Sequence, residues 1–177
     1  MNRRTPIVAG IVGVAVLALV AVFAISTGSE ERPDASPLVG GLTPELAGST
    51  FDGRSFDIDE HRGQWVVVNF FATWCPPCVE EHPELIAFDE RFGEQVQLVS
   101  VADPTEIDQA EQFFIDEGGD WPVLTEGAES ASLDFGVKKL PESYLVDPMG
   151  TVAAKIYGGV TAAELAELVR DRGGDLR

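Results

Sequence analysis

A pair of cysteines three positions apart, Cys75-Pro76-Pro77-Cys78, constrains this chain more than any other feature. The pair directly follows the apolar run Trp65–Phe71 and opens a segment with helical periodicity. With two cysteines in the whole chain there is no disulfide framework, and so small a loop contributes little chain-entropy stabilisation. The sequence therefore predicts a redox pair at the junction of a buried strand and a helix.

The overall composition limits the functions that the chain can have. The chain has 177 residues, 45% of them apolar, which is enough for one ordinary domain with a sizeable core. Its formal net charge is −18 and its pI is near 4.2. Nucleic acid is therefore excluded as a partner, because phosphate binding needs a basic face.

The N-terminus reads as a membrane anchor. Residues 7–25 form an uncharged run of 19 residues, which as a helix spans about 28 Å, close to the ~30 Å hydrocarbon core. Arg3 and Arg4 place residues 1–6 in the cytoplasm by the positive-inside rule. Residues 26–177 carry 10 basic and 30 acidic side chains, which agrees with an extracytoplasmic domain. A cleaved secretory signal, with a small-residue site at 22–24, remains the alternative.

The rest of the chain divides into a flexible tether at 26–46, rich in Ser, Pro, Gly and Glu, a domain at 47–172 and a C-terminal tail at 173–177. An Asp-Gly turn predicts an N-terminal β-hairpin over 49–58. The periodicity then predicts strands at 65–71, 96–101, 122–124, 143–146 and 151–157, and helices at 76–92, 105–117, 130–135 and 161–170. This order predicts an α/β domain with parallel strands first and an antiparallel pair at the end.

The dithiol chemistry assigns different roles to the two cysteines. Cys75 precedes the helix, where free backbone N–H groups and the helix dipole favour a thiolate, so we predict that it attacks the client. Cys78 lies inside the helix and is expected to be less exposed and to resolve the mixed disulfide. Pro76 and Pro77 suit the first helical turn and stiffen the link.

Glu81 lies three residues after Cys78, on the same face of the predicted helix. Its charge is expected to raise the thiol pKa values, and its carboxylate could exchange a proton with Cys78. The alternative is a solvated helix glutamate, which is the expectation for its neighbour Glu80.

Three further features carry weaker predictions. Trp74 has two interpretations, a shield over Cys75 or a cover for the core edge. Pro83 is expected to kink its helix. His61 and His82 could complete a two-Cys, two-His zinc set by count, but their spacing fits poorly, so no metal site is predicted.

The segment 68–78, Val-Asn-Phe-Phe-Ala-Thr-Trp-Cys-Pro-Pro-Cys, resembles the active-site strand and motif of thioredoxin-like proteins. Glu81, His82 and Pro83 after it narrow the resemblance to the TlpA/ResA/DsbE group of membrane-anchored, extracytoplasmic thiol–disulfide oxidoreductases. Residues 136–147 are similar to the cis-proline segment of that family. The resemblance implies a cis peptide bond before Pro141, which would face the dithiol.

The resemblance also implies the fold and the partners. The fold would be a thioredoxin fold, with a central mixed β-sheet flanked by helices, an N-terminal β-hairpin and an inserted helix near 105–120, after one transmembrane helix. Glu81 would handle the proton that a buried Asp handles in cytosolic thioredoxin, where this chain has Asn69. Trp74, Pro76, Pro77 and Leu140 would support the catalytic residues Cys75, Cys78, Glu81 and Pro141. No cofactor beyond the cysteine pair is expected.

The leading hypothesis is an anchored disulfide reductase for exported proteins, with apocytochrome c as client and a transmembrane thiol carrier as electron donor. A thiol oxidant that installs disulfides in secreted proteins, and a redox-gated binding module without turnover, are the alternatives. A peroxidase is disfavoured, because the Trp-Cys-Pro-Pro-Cys context indicates dithiol exchange.

Overall fold

The computed structural model describes residues 36–177. The predicted anchor at 7–25 and the first part of the predicted tether lie outside this range. Within residues 36–177, no helix is both long and apolar enough to span a membrane. The β-strands of this range are β1 Ala47–Ser49, β2 Ser55–Asp57, β3 Trp65–Phe71, β4 Val96–Ala102, β5 Val123–Leu124, β6 Glu142–Val146 and β7 Val152–Tyr157. Its α-helices are α1 Pro76–Phe92, α2 Ile107–Glu117, α3 Ala128–Asp134 and α4 Ala162–Asp171.

A five-stranded mixed sheet in the order β5-β4-β3-β6-β7 forms the centre of the domain. Strands β3, β4 and β5 are parallel, whereas β6 and β7 are antiparallel to their neighbours. Strand β3 lies in the middle, and every residue from Val66 to Phe71 is buried. The continuous apolar run is therefore confirmed as a strand covered on both faces.

The N-terminal hairpin is confirmed as a separate two-stranded sheet. Strands β1 and β2 pair antiparallel, with Ala47 opposite Asp57. Gly53 in the connecting turn has a φ of 79°, which glycine adopts without a steric penalty. A short 3-10 helix, Ile58–His61, follows the hairpin and was not predicted from the sequence.

Helix α1 begins as its sequence predicts and continues through Pro83 without a break. Pro76 occupies the first helical position, where the missing N–H has no intrahelical acceptor to lose. The predicted apolar stripe of Leu85, Phe88 and Phe92 is buried. Helix α4 also begins where predicted, with a capping box between Thr161 and Glu164.

The tether predicted at residues 26–46 includes residues that belong to the folded domain. Residues 36–46 pack against the domain, with Ser36 and Leu46 buried. The backbone N–H of Gly40 donates to the carbonyl of Val152, and Gly41 accepts a hydrogen bond from Val152 in return. Backbone hydrogen bonds of this kind need no distinctive side chains, so a composition rich in Pro and Gly did not reveal them.

The sheet separates two apolar clusters. One holds both cysteines together with residues of α1, α2 and α4. The other holds residues of α3 and of the hairpin, packed on the opposite face. The cysteine pair therefore lies on the face of the sheet that α1 covers.

Candidate active site

The cysteine pair forms a disulfide at the N-terminus of α1. Cys75 is the N-cap residue, with an extended backbone at φ −90° and ψ 105°, and Cys78 lies in the first helical turn. The two Cα atoms are 5.3 Å apart, within the usual range for a disulfide. The predicted redox pair can thus exist in its oxidised form without displacement of the backbone.

The predicted difference in exposure between the two cysteines is wrong for this oxidised form. Cys75 and Cys78 are each 3% exposed. Both belong to the same apolar cluster, because the disulfide holds them together on the face of the sheet under α1. Their roles as attacking and resolving thiols stay predictions that rest on the helix N-terminus and not on exposure.

Glu81 is buried, which rules out the solvated interpretation, whereas Glu80 is exposed as expected. Asn69 on β3 donates from Nδ2 to Glu81 Oε1 at 2.8 Å, and the backbone N–H of Val160 donates to Oε2 at 3.1 Å. Burial raises the pKa of Glu81 to about 7, although these two hydrogen bonds act in the opposite direction. A carboxyl group that titrates near neutral pH can both accept and release a proton there.

A chain of buried polar groups connects Glu81 to the centre of the sheet. Asn69 also donates to Ser143 Oγ at 3.1 Å and accepts from Ser100 Oγ at 3.3 Å. Trp121 Nε1 donates to Ser100 Oγ at 2.8 Å. Sequence reasoning missed the two serines, although an Asn inside a buried apolar strand was a signal that polar partners must exist.

The substitution Glu81→Gln should remove a pH dependence of stability. The folded protein holds the Glu81 proton more tightly than the unfolded chain, whose pKa is near 4.5. The stability this group contributes is therefore complete below about pH 4.5 and is lost as the pH rises to about 7. Relative to wild type, the free energy of unfolding of the variant should rise by on the order of 3 kcal/mol across this interval.

Denaturant unfolding of the oxidised protein between pH 4 and about 8 would measure this difference. Glu80→Gln is the matched control, because Glu80 is the exposed neighbour on the same helix. If the free energy of unfolding changed with pH in the same way for wild type and Glu81→Gln, the raised pKa of Glu81 would be contradicted.

The peptide bond between Leu140 and Pro141 is cis, as the resemblance implied. Pro141 precedes β6, whose first residue Glu142 pairs with Phe70 on β3. Because β3 leads directly into the cysteine motif, this register places Pro141 at the end of the sheet that carries the dithiol. Leu140 is half-buried and contacts both apolar clusters.

The two interpretations of Trp74, a shield over Cys75 or a cover for the core edge, stay predictions. Its side chain is 60% exposed, and among residues 36–177 it belongs to neither apolar cluster. It lines a cavity together with Leu140.

His82 is a buried structural residue of the α1–α2 contact. Its Nε2 lies 2.8 Å from the Gly118 carbonyl oxygen, and its ring contacts Phe113 and Phe114 at centroid distances of 4.6 and 5.0 Å. Because a carbonyl oxygen can only accept, Nε2 donates this hydrogen bond, and burial lowers the pKa of His82. His61 instead stacks on Phe56.

Comparison with known proteins agrees with this geometry. The Redoxin family profile matches residues 29–170. The chain is 31% identical over 162 residues to the thiol:disulfide interchange protein DsbE of Vibrio cholerae, across 87% of this chain and 86% of that protein. It is 30% identical over 132 residues to the thiol-disulfide oxidoreductase ResA of Geobacillus thermodenitrificans, across 73% of this chain and 75% of that protein.

A solved structure extends the comparison to three dimensions. The crystal structure of a thiol:disulfide interchange protein of the thioredoxin family from Chlorobium tepidum has a TM-score of 0.65 and 27% identity to this chain. The match covers 74% of this chain and 94% of that one, so the fold is thioredoxin-like, as the resemblance implied. With a redox-capable cysteine pair at its helix N-terminus, the chain belongs to the redoxin family and is a thiol–disulfide oxidoreductase.

Proposed function

We propose that this protein is a membrane-anchored disulfide reductase for exported proteins, with apocytochrome c as its client during cytochrome c maturation. The observation that carries the proposal is the disulfide at the N-terminus of α1 with the buried Glu81 one turn further along the helix. The client is taken from the resemblance to the TlpA/ResA/DsbE group. The cysteine pair is the redox centre, and the reaction needs no other cofactor.

The charge of Glu81 favours the reducing direction. A cysteine pair is strongly oxidising when its reduced form is stabilised as a thiolate, as in DsbA. The helix N-terminus at Cys75 favours a thiolate, but ionised Glu81 on the same helix opposes it. The reduced form therefore gains less stabilisation than in an oxidant, and the pair gives up its electrons more readily.

The reaction balances as a two-electron exchange. The Cys75 thiolate attacks one sulfur of the client disulfide, the client S–S bond breaks, and the released client thiolate takes a proton. Cys78 gives its proton to the Glu81 carboxylate and attacks the Cys75 sulfur, which expels the second client thiolate. The second client thiolate takes up the proton that Glu81 received, so the client leaves as a dithiol and the protein is left with the Cys75–Cys78 disulfide.

The location follows from the N-terminal sequence. Residues 7–25 would anchor the chain, with residues 1–6 in the cytoplasm and the domain outside. An extracytoplasmic domain has no access to cytosolic thioredoxin, so a transmembrane thiol carrier would return it to the dithiol form. Alkaline extraction of membranes that contain the full chain would test the anchor, since a cleaved product would appear in the soluble fraction.

The reduction potential of the Cys75–Cys78 couple tests the direction. Equilibration of the protein with defined thiol/disulfide buffers should give a value nearer about −270 mV, as in thioredoxin, than about −120 mV, as in DsbA. A value at the oxidising end would reject the reductase and identify an exported disulfide donor instead.

A further inference from the structure

A cavity of about 320 Å³ lies at the end of the sheet that carries the cysteine motif. Its apolar floor comes from Phe70 and Phe71 on β3 and Val101 and Ala102 on β4. Trp74 and residues 137–140 also line the cavity. Because Trp74 directly precedes Cys75, a client whose disulfide reaches Cys75 passes beside this cavity.

Positive charge is concentrated at the cavity, although the chain as a whole is acidic. The sequence has three lysines, and two of them, Lys138 and Lys139, are exposed and line the cavity. Within residues 36–177, neither of these two forms a salt bridge. Asp103 also lines the cavity, but its Oδ1 accepts hydrogen bonds from the backbone N–H and hydroxyl of Thr105.

Hydrogen bonds to Glu142 hold the backbone of the two lysines. Glu142 Oε1 accepts hydrogen bonds from the backbone N–H groups of Lys138 and Lys139, at 3.4 and 3.3 Å. Its other oxygen, Oε2, lies 2.7 Å from Nζ of the third lysine, the buried Lys155. The backbone of both exposed lysines is therefore tied to the buried Glu142 beside the cavity.

We propose that this cavity selects client segments that carry an apolar side chain and a carboxylate next to the attacked cysteine. The inference rests on the proposed function and adds a client preference to it. The apolar side chain would enter the cavity beside Trp74, and the carboxylate would pair with Lys138 and Lys139. This local preference opposes the field of the whole protein, whose net charge of −18 would favour basic clients.

Three synthetic peptides test the preference, each with one internal disulfide and a leucine beside one cysteine, followed by Glu, Gln or Lys. The rate constant for oxidation of the reduced full-length chain should be about fivefold higher with the Glu peptide than with the Lys peptide at low salt. The difference should largely disappear at about 0.5 M salt, because exposed charges are then screened within a few ångströms.

Charge reversal in Lys138→Glu/Lys139→Glu should invert the order of the peptides. Arg54→Glu/Arg177→Glu is the matched control, because it makes the same change in net charge at exposed residues that do not line the cavity. The control should keep the preference for the Glu peptide. The uncharged 2-hydroxyethyl disulfide should react at similar rates with wild type and with the control variant Arg54→Glu/Arg177→Glu.

These measurements distinguish a failure of the client preference from a failure of the proposed function. Equal rates for the three peptides, or a preference for the Lys peptide in wild type, would overturn the client preference while exchange itself is intact. A reduced chain that fails to react even with 2-hydroxyethyl disulfide would overturn the proposed function, and the client preference with it.

Discussion

Replacement of Cys78 by serine is expected to trap a client on Cys75 as a stable mixed disulfide, whereas Cys75→Ser should abolish turnover. In the first variant Cys75 can still attack, but no second thiol is present to expel the client. In the second variant the nucleophile at the helix N-terminus is gone, so the rate of disulfide exchange should fall by at least about a thousandfold. These opposite outcomes follow from the position of Cys75 at the N-cap and of Cys78 within the helix.

Non-reducing electrophoresis and mass spectrometry of each variant, incubated with a disulfide-bonded peptide that contains Cys-x-x-Cys-His, would measure both effects. Cys75→Ser and Cys78→Ser control for each other, because each removes one thiol and the disulfide. A mixed disulfide that accumulates in Cys75→Ser and not in Cys78→Ser would reverse the two roles. Client binding without turnover in the wild type would instead identify a redox-gated binding module.

Lys155→Met is expected to lower the free energy of unfolding by about 3–5 kcal/mol, because it leaves the buried Glu142 without its counter-charge. The side chains of Lys155 and Glu142 are only 4% and 2% exposed. The Lys155 ammonium also lies 4.9 and 4.7 Å from the ring centroids of Tyr144 and Tyr157. Burial alone would lower the pKa of Lys155, but its interactions with Glu142 and Tyr144 outweigh burial and raise it.

Chemical denaturation at neutral pH would measure the loss, with Lys155→Met/Glu142→Gln as the matched control. The double variant removes both charges, and Gln keeps an acceptor for the N–H groups of Lys138 and Lys139, so most of the stability should return. A loss below about 1 kcal/mol in Lys155→Met would mean that the ion pair is not what stabilises this part of the domain.

Much of the fold could be predicted from the sequence, because it depends on patterns within short segments. The apolar run 65–71 predicted β3, and the apolar stripe with Pro76 at its start predicted α1. The Thr161–Glu164 capping box predicted the start of α4. In each case neighbours along the chain supply the periodicity, the cap or the restricted φ angle that defines the element.

The candidate site could be predicted only in part. The spacing of the two cysteines indicated their chemistry, and their disulfide agrees with it. The cis bond before Pro141 came from the resemblance, since local physics gives a cis X–Pro bond only about 5% of the time. Two predictions were wrong: that Cys78 is less exposed than Cys75, and that residues 36–46 belong to a flexible tether. Both properties depend on contacts between segments that are far apart in the chain.

By itself, the sequence determined the order of the elements and the position of a dithiol at the start of a helix. Only the tertiary structure decided that Glu81 is enclosed between Asn69 and Val160, and that Lys155 lies beside Glu142. The physical reason is that the residues next to a charged residue in the sequence do not indicate whether folding will bury its side chain. Its protonation depends on desolvation and on partners that the folded chain brings together, here from 12 and 79 positions away for Glu81.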